Sequence, residues 1–216
     1  VTLLDGSDTV VELTADAPAQ AVALIPIVTA FSVDSLPSSG GTAVTLSGAG
    51  LNRTSAYRCV FSDPHGIVLF TVDANVTSSD AAHCKVPDLI MTARRALLSL
   101  EKLPEEEPVA LAEELDGGAI SFVQFWSTGN ASEGFARGGE PLKIVGSGFQ
   151  KGSSGLACRF VDGARAVTAA AEALSTTELA CTTPAWPYEA TEVELQILDG
   201  NARIPHSSGG AVPFTF

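Results

Sequence analysis

Positive charge is scarce in this sequence. Twelve Lys and Arg stand against 25 Asp and Glu, so the 216 residues carry a formal charge of −13. That field repels phosphate polyanions and anionic headgroups, which argues against nucleic acid or a membrane surface as partner. Long apolar runs are also missing. The longest, Ala21 to Ala30, is broken by Pro26 and has the length of a strand, so no direct membrane insertion is expected. Side chains for catalysis are sparse too. His65, His83 and His206 each stand alone in expected loops or strand ends, and neither a Gly-x-Ser-x-Gly elbow nor a His-Glu-x-x-His motif occurs. Asp5, Asp63, Asp73 and Asp80 are scattered, without the Asp-x-Asp-x-Asp-Gly spacing of a calcium loop. These gaps point to a protein that is not an enzyme, with no catalytic residue, no metal site and no cofactor.

What is plentiful is Gly, Ser, Thr, Val and Leu, with almost no sustained 3.6-residue apolar period, which favours an all-β chain rich in turns. The four cysteines are even in number and lack the close Cys-x-x-Cys spacing of zinc or redox sites. Of four asparagines, three open an Asn-x-Ser/Thr sequon, at Asn52, Asn75 and Asn130. Ser and Thr number 38, so chance alone produces three such hits in only about 2% of comparable sequences. Paired cysteines and N-linked glycans together place the chain on an oxidising, secretory route, extracellular or at the cell surface. It begins with Val1 and shows no signal peptide, so a processed piece of a longer, membrane-anchored parent is expected.

Self-similarity is the strongest internal signal. GGTAVTLSGAGLN at 40–52 returns as GGEPLKIVGSGFQ at 138–150, and Cys59-Val60-Phe61 returns as Cys158-Arg159-Phe160. Cys84-Lys85-Val86-Pro87 returns as Cys181-Thr182-Thr183-Pro184, and Ala96, Leu98 and Leu100 align with Val193, Leu195 and Ile197. The offset stays between 97 and 99 across all four blocks. Within the first block, Val44 and Leu46 alternate with small or polar residues, as do Leu142 and Ile144, which marks half-buried strands. The Gly-x-Gly that follows, at Gly48 and Gly50 and again at Gly146 and Gly148, suits a tight turn with positive φ. No helix N-terminus or Gly-Lys-Ser/Thr follows it, so a phosphate loop is not expected. Each copy holds two cysteines in equivalent places, which predicts the pairs Cys59–Cys84 and Cys158–Cys181, with free structural thiols as the alternative.

The copies also end alike, in Ala119–Phe122 and Pro213–Phe216. Leu4-Asp5-Gly6 matches Leu198-Asp199-Gly200, so residues 1–28 are expected to be the last strands of a preceding repeat, followed by domains at 29–122 and 123–216. One segment breaks the pattern. Residues 101–118 form an acidic insertion with Glu105, Glu106, Glu107, Glu113 and Glu114, where the second copy has a shorter Asp-Gly turn. A solvated loop is expected there, with a short helix over Val109–Leu115 as an option. Loops on rigid scaffolds carry binding, so these glutamates are the candidate partner-binding residues. Trp126, at the junction of the copies, is expected to set the inter-domain angle rather than stack a sugar, and Trp186 to pack at a domain edge.

The order Gly-Gly-Thr, strand, Gly-x-Gly, Cys-x-Phe, Cys-x-x-Pro resembles the IPT/TIG family of immunoglobulin-like domains, over residues 29–216 in two copies and 1–28 as the tail of a third. Pro26, Pro37 and Gly40-Gly41 match the opening of such a domain. The second copy departs there, since Trp126 to Gly138 lacks both prolines and carries a sequon instead. The resemblance implies tandem immunoglobulin-like β-sandwiches of the early-set type. Related domains occur in plexin-type receptor ectodomains, fibrocystin-like surface proteins, secreted glycosidases and a few transcription factors. The expectation is an adhesion or recognition ectodomain that meets a protein partner on another cell or on matrix. A spacer in a long ciliary or surface protein and an accessory domain of a secreted carbohydrate-active enzyme are the alternatives.

Overall fold

Two-residue alternation of apolar and polar side chains recurs along the sequence, and the described residues form twenty strands. In the computed structural model, residues 25–216 are described, together with an isolated antiparallel pair, β1 (Leu3–Leu4) and β2 (Val10–Val11). The reading of residues 1–28 as the tail of another repeat therefore lies mostly outside the described residues. Ile27 and Val28 are the exception, because they open the first strand of the first sandwich, one or two residues before the expected boundary.

That sandwich comprises β3 (Ile27–Phe31), β4 (Ser35–Pro37), β5 (Ala43–Ala49), β6 (Tyr57–Ser62), β7 (Val68–Ser78), β8 (Ala81–Lys85), β9 (Arg94–Lys102), β10 (Glu107–Pro108), β11 (Ala110–Leu111) and β12 (Ala119–Val123). β7 is the longest, and its two halves have different partners. Val68–Ala74 pairs with β6 and Ala74–Ser78 pairs with β8, so one strand passes between the two layers. The resulting path runs β11-β3-β5-β8-β7-β6-β9-β12-β4, with β10 on β9. Between the layers lie Val28, Leu36, Val44, Leu46, Phe61, Leu98, Leu100, Ile120 and Phe122, all fully or nearly fully buried.

The second sandwich comprises β13 (Phe125–Gly129), β14 (Pro141–Ser147), β15 (Leu156–Asp162), β16 (Arg165–Ala173), β17 (Glu178–Thr182), β18 (Glu192–Asp199), β19 (Ala202–Ile204) and β20 (Val212–Thr215). Its path, β13-β14-β17-β16-β15-β18-β19 with β20 on β18, repeats the first. It encloses its own core of Leu142, Ile144, Phe149, Phe160, Leu179, Leu195, Ile197 and Phe214. The missing prolines do not alter the opening of this copy. β4 lies parallel to β12, and Glu133 makes the matching parallel bridge to Thr215.

Disulfides join Cys59 to Cys84 and Cys158 to Cys181, with Cα atoms 6.3 and 6.4 Å apart. Each links strands that are not hydrogen-bonded neighbours (β6 to β8, β15 to β17), so the sulfurs lie in the core. Closing loops of 25 and 23 residues stabilises each sandwich by about 3–4 kcal/mol if chain entropy dominates.

The paired glycines divide their work differently from the sequence expectation. Gly50 and Gly148 do adopt positive φ, 75° and 86°. Gly48 and Gly146 do not. They are glycine because a Cβ there would lie 2.1 Å from the Ile27 carbonyl oxygen and 2.3 Å from that of Phe125. Trp126 also differs from expectation. It is 1% exposed and occupies in the second core the place that Val28 holds in the first, beside the same bulge in the opening strand. Its indole nitrogen donates to the Ile204 carbonyl at 3.2 Å. Trp186 is buried as well and stacks on Phe216 at 5.2 Å.

At Gly40, φ is +71° and a Cβ would lie 1.8 Å from the Pro87 carbonyl oxygen, whereas Gly66, at φ +84°, has open space. Gly40→Ala is expected to cost more than about 2 kcal/mol and Gly66→Ala only about 1 kcal/mol, measured as urea unfolding of the purified chain.

Candidate functional site

Half of the acidic insertion is structural. Val109-Ala110-Leu111 alternates as a strand should, and the chain uses it as one rather than as a helix. β9 turns back through β10, and β11 then crosses to lie parallel to β3, with Ala110 opposite Ile27 and Leu111 opposite Val28. Val109 is 5% exposed, and Leu111 and Leu115 pack on the first core. A 3-10 turn at Glu113–Gly118 leads into β12. The solvated-loop expectation thus fails for the apolar residues, because the free edge of β3 offers them a hydrogen-bonding partner and a core to fill.

The second sandwich solves the same edge problem with fewer residues. His206 bridges in parallel to Trp126, the counterpart of Val28. The Ser207 amide donates to the Trp126 carbonyl at 2.8 Å, as the Ala112 amide donates to Val28, also at 2.8 Å. An exposed edge invites pairing with other chains, and in both sandwiches this connection covers it. His206 Nε2 donates to the Ser127 carbonyl at 2.6 Å, and its ring meets Trp126 edge-on. His206 lies in a loop as expected, whereas His83 does not. It sits in β8 between Thr45 and Thr77, at 2.9 and 3.2 Å.

The glutamates remain outside. Glu105 and Glu106 occupy the β9–β10 turn and Glu107 opens β10, while Glu113 and Glu114 begin the 3-10 turn, and all five are exposed. They are carried by two elements rather than one continuous loop. Arg58 on β6 secures the first group, bonding Glu101 at 2.8 Å and Glu106 at 3.1 Å. The hydrogen bond to Glu101, then the charge of Glu106, raises the Arg58 pKa above the ordinary arginine value against some desolvation. Arg95 pairs with Asp116 beside the second group at 2.5 Å.

The three sequon asparagines are exposed. Asn52 follows β5, and its Oδ1 accepts from the Thr54 amide and hydroxyl at 2.9 and 2.8 Å. Asn75 lies on β7 opposite His83. Asn130 follows β13, and its Oδ1 accepts from the Lys143 amide at 2.7 Å.

Between the sandwiches the contact is made largely of backbone. The Ala93 amide donates to the Gly148 carbonyl at 2.9 Å, and Thr92 bridges Gly148 in parallel. Ser38 is fully buried beside them, with its amide and hydroxyl both bonded to the Val123 carbonyl. A Cβ on Gly148 would lie 2.8 Å from the Ser38 hydroxyl and 3.0 Å from the Gln124 Cα. Gln124 anchors the linker by donating to Asp199 at 2.9 Å.

Residues 129–216 match the model of the IPT/TIG domain. The second sandwich is an IPT/TIG domain. No curated protein matches the chain. Among solved structures, the plexin A4 extracellular region with domains 1 to 8 is similar at 11% identity and TM-score 0.35, over 86% of this chain and 26% of that one. The tetra-tandem repeat from the extending region of a large adhesion protein is similar at 10% and 0.33, over 89% and 49%. A two-domain fibronectin type III segment of chicken tenascin is similar at 12% and 0.41, over 82% and 93%. The chain thus spans about a quarter of that plexin region.

The two halves of the insertion are separable. Val109→Asp is expected to destabilise the first sandwich by about 3 kcal/mol, whereas Glu105→Gln with Glu107→Gln stays within about 0.5 kcal/mol, both read by thermal and urea unfolding. Gly148→Val is expected to leave each core folded and to loosen the joint, seen as a larger maximum dimension in small-angle scattering.

Proposed function

We propose that the chain is a non-catalytic recognition segment of an extracellular adhesion protein, built from tandem IPT/TIG sandwiches at 29–122 and 123–216 behind the last strands of another. In this reading Asn52, Asn75 and Asn130 carry N-linked glycans, and the parent is anchored at the cell surface. The carrying observation is the partition of the insertion. Its apolar side chains are sunk into the core while Glu105, Glu106, Glu107, Glu113 and Glu114 are held in solvent, with Arg58 and Arg95 bracing the two groups. A rigid scaffold that displays carboxylates suits a basic protein surface on another cell or on matrix. Two buried disulfides support an oxidising compartment.

A spacer in a long surface protein is the second reading, favoured by the backbone-made joint, which keeps length and direction without a ligand. Changing all five glutamates to Gln separates the two. The natively glycosylated chain is expected to capture a cell-surface or matrix protein, and the variant to bind it at least about tenfold more weakly. Equal binding, or no partner at all, returns the spacer. Unreduced peptide mapping checks the compartment: glycan on Asn52, Asn75 or Asn130 with linked cysteines is the expected result, and bare asparagines with free thiols overturn it.

A further inference from the structure

The opening strands of the two sandwiches end alike in the backbone and differently in the side chains. Ser32 follows β3 as Asn130 follows β13, and each makes the same two bonds. Their amides donate to the carbonyls of Thr45 and Lys143. Their side-chain oxygens accept from the amides of those same residues, at 3.0 Å for Ser32 and 2.7 Å for Asn130. One residue earlier the likeness stops. Phe31, opposite Leu46, packs on the first core, whereas its counterpart opposite Ile144 is Gly129. The connection before the last strand differs in the same sense. In the first sandwich it adds Leu111 and Leu115 to the core, while in the second it runs Ser207-Ser208-Gly209-Gly210, without a large apolar side chain.

The missing side chains leave a groove of about 660 Å³ on the flank of the second sandwich, between β13 of one layer and β20 of the other. Its lining is mixed, with Val212 and Pro213 apolar and Ser132 and Glu133 polar. A concave surface of this size and character suits a ligand that has both apolar ring faces and hydroxyls. The rim is held by backbone, since the Thr215 amide donates to the Ser132 carbonyl at 2.9 Å and Glu133 bridges Thr215. Asn130 lines the groove and opens the sequon Asn130-Ala131-Ser132, whereas Ser32-Val33-Asp34 is none. Because Oδ1 is committed to the Lys143 amide, Nδ2, the atom that carries an N-linked sugar, is the limb left for the groove.

We propose that the two innermost sugars of an N-linked glycan on Asn130 lie in this groove as part of the second sandwich, in the place that Phe31, Leu111 and Leu115 fill in the first. The inference rests on the reading that Asn130 is glycosylated. The acetyl methyl groups and ring faces cover Val212 and Pro213, and the sugar hydroxyls meet Ser132 and Glu133. The occupant follows from one juxtaposition: the sandwich that lacks the filling side chains carries a sugar-bearing amide on the rim of the space they leave.

The test digests the natively secreted chain, with high-mannose glycans and without denaturation, using an endoglycosidase that cuts between the first two sugars. Mass spectrometry follows each asparagine separately, and Asn75, on the exposed side of β7, is the internal standard. Trimming at Asn130 is expected to be at least about tenfold slower than at Asn75, because the enzyme meets only the fraction of glycan that has left the groove. After unfolding, the two rates should agree. Gly129→Phe restores the ring of the first sandwich and should bring the rates together in the folded chain. The nearest atom to a Cβ there, the Ile144 Cδ1, is 3.3 Å away. In the unaltered chain, nuclear Overhauser contacts between the sugar acetyl methyls and the Val212 methyls are expected, a readout that needs no variant. Equal trimming at Asn130 and Asn75 in the folded chain overturns the inference and leaves the glycosylation reading standing. Slow trimming that persists in a folded Gly129→Phe variant, or absence of the Val212 contacts, overturns it as well. A bare Asn130 beside an occupied Asn75 removes the occupant and overturns it, whereas three bare asparagines overturn the compartment reading itself.

Discussion

Each sandwich depends on a cystine that crosses between its two layers. The cores are built mainly from Leu, Phe, Val and Ile, with Tyr57 in the first and Trp126 and Trp186 in the second. Apolar burial exceeds the conformational entropy lost on folding by only a small margin in any domain, so a crosslink that acts on the unfolded chain counts. Cys59–Cys84 and Cys158–Cys181 act on that margin from the unfolded side, and they join strands that no hydrogen-bond ladder connects directly. With the layers pinned, β7 and β16 can pass from one layer to the other, and the loops at both ends are free to vary.

The loops vary under one constraint. The opening strand of each sandwich is an edge, and the connection before the last strand must cover it. The first sandwich does so with β11 and the second with the His206 bridge, so two segments without sequence likeness perform one task. What distinguishes the first connection is its surplus: a hairpin tip and a 3-10 turn that carry acid outward. The inference of recognition belongs to that surplus and not to the insertion as a whole.

Much of this was legible in the residues. Glycines with positive φ and cysteines are the positions least able to change, and they carry the repeat: Gly40 with Gly138, Gly50 with Gly148, and the four sulfurs. The role of Trp126 was not legible, because its partner Val28 precedes the first block of similarity and a tryptophan beside a boundary looks like a linker residue. The insertion misled for a related reason. Charge dominates its composition, while the three-residue alternation Val109-Ala110-Leu111 is too short to stand out until the edge it covers is known. Gly48 and Gly146 show the same limit, since the carbonyl that forbids a side chain comes from a distant strand.

The joint has a consequence for how such a protein can change. Its central bond runs from one main-chain amide to one main-chain carbonyl, Ala93 to Gly148, and the second residue is a glycine. A contact written in the backbone places few demands on side-chain identity. Surfaces on either sandwich can therefore be rewritten residue by residue while the direction in which the pair points is inherited intact.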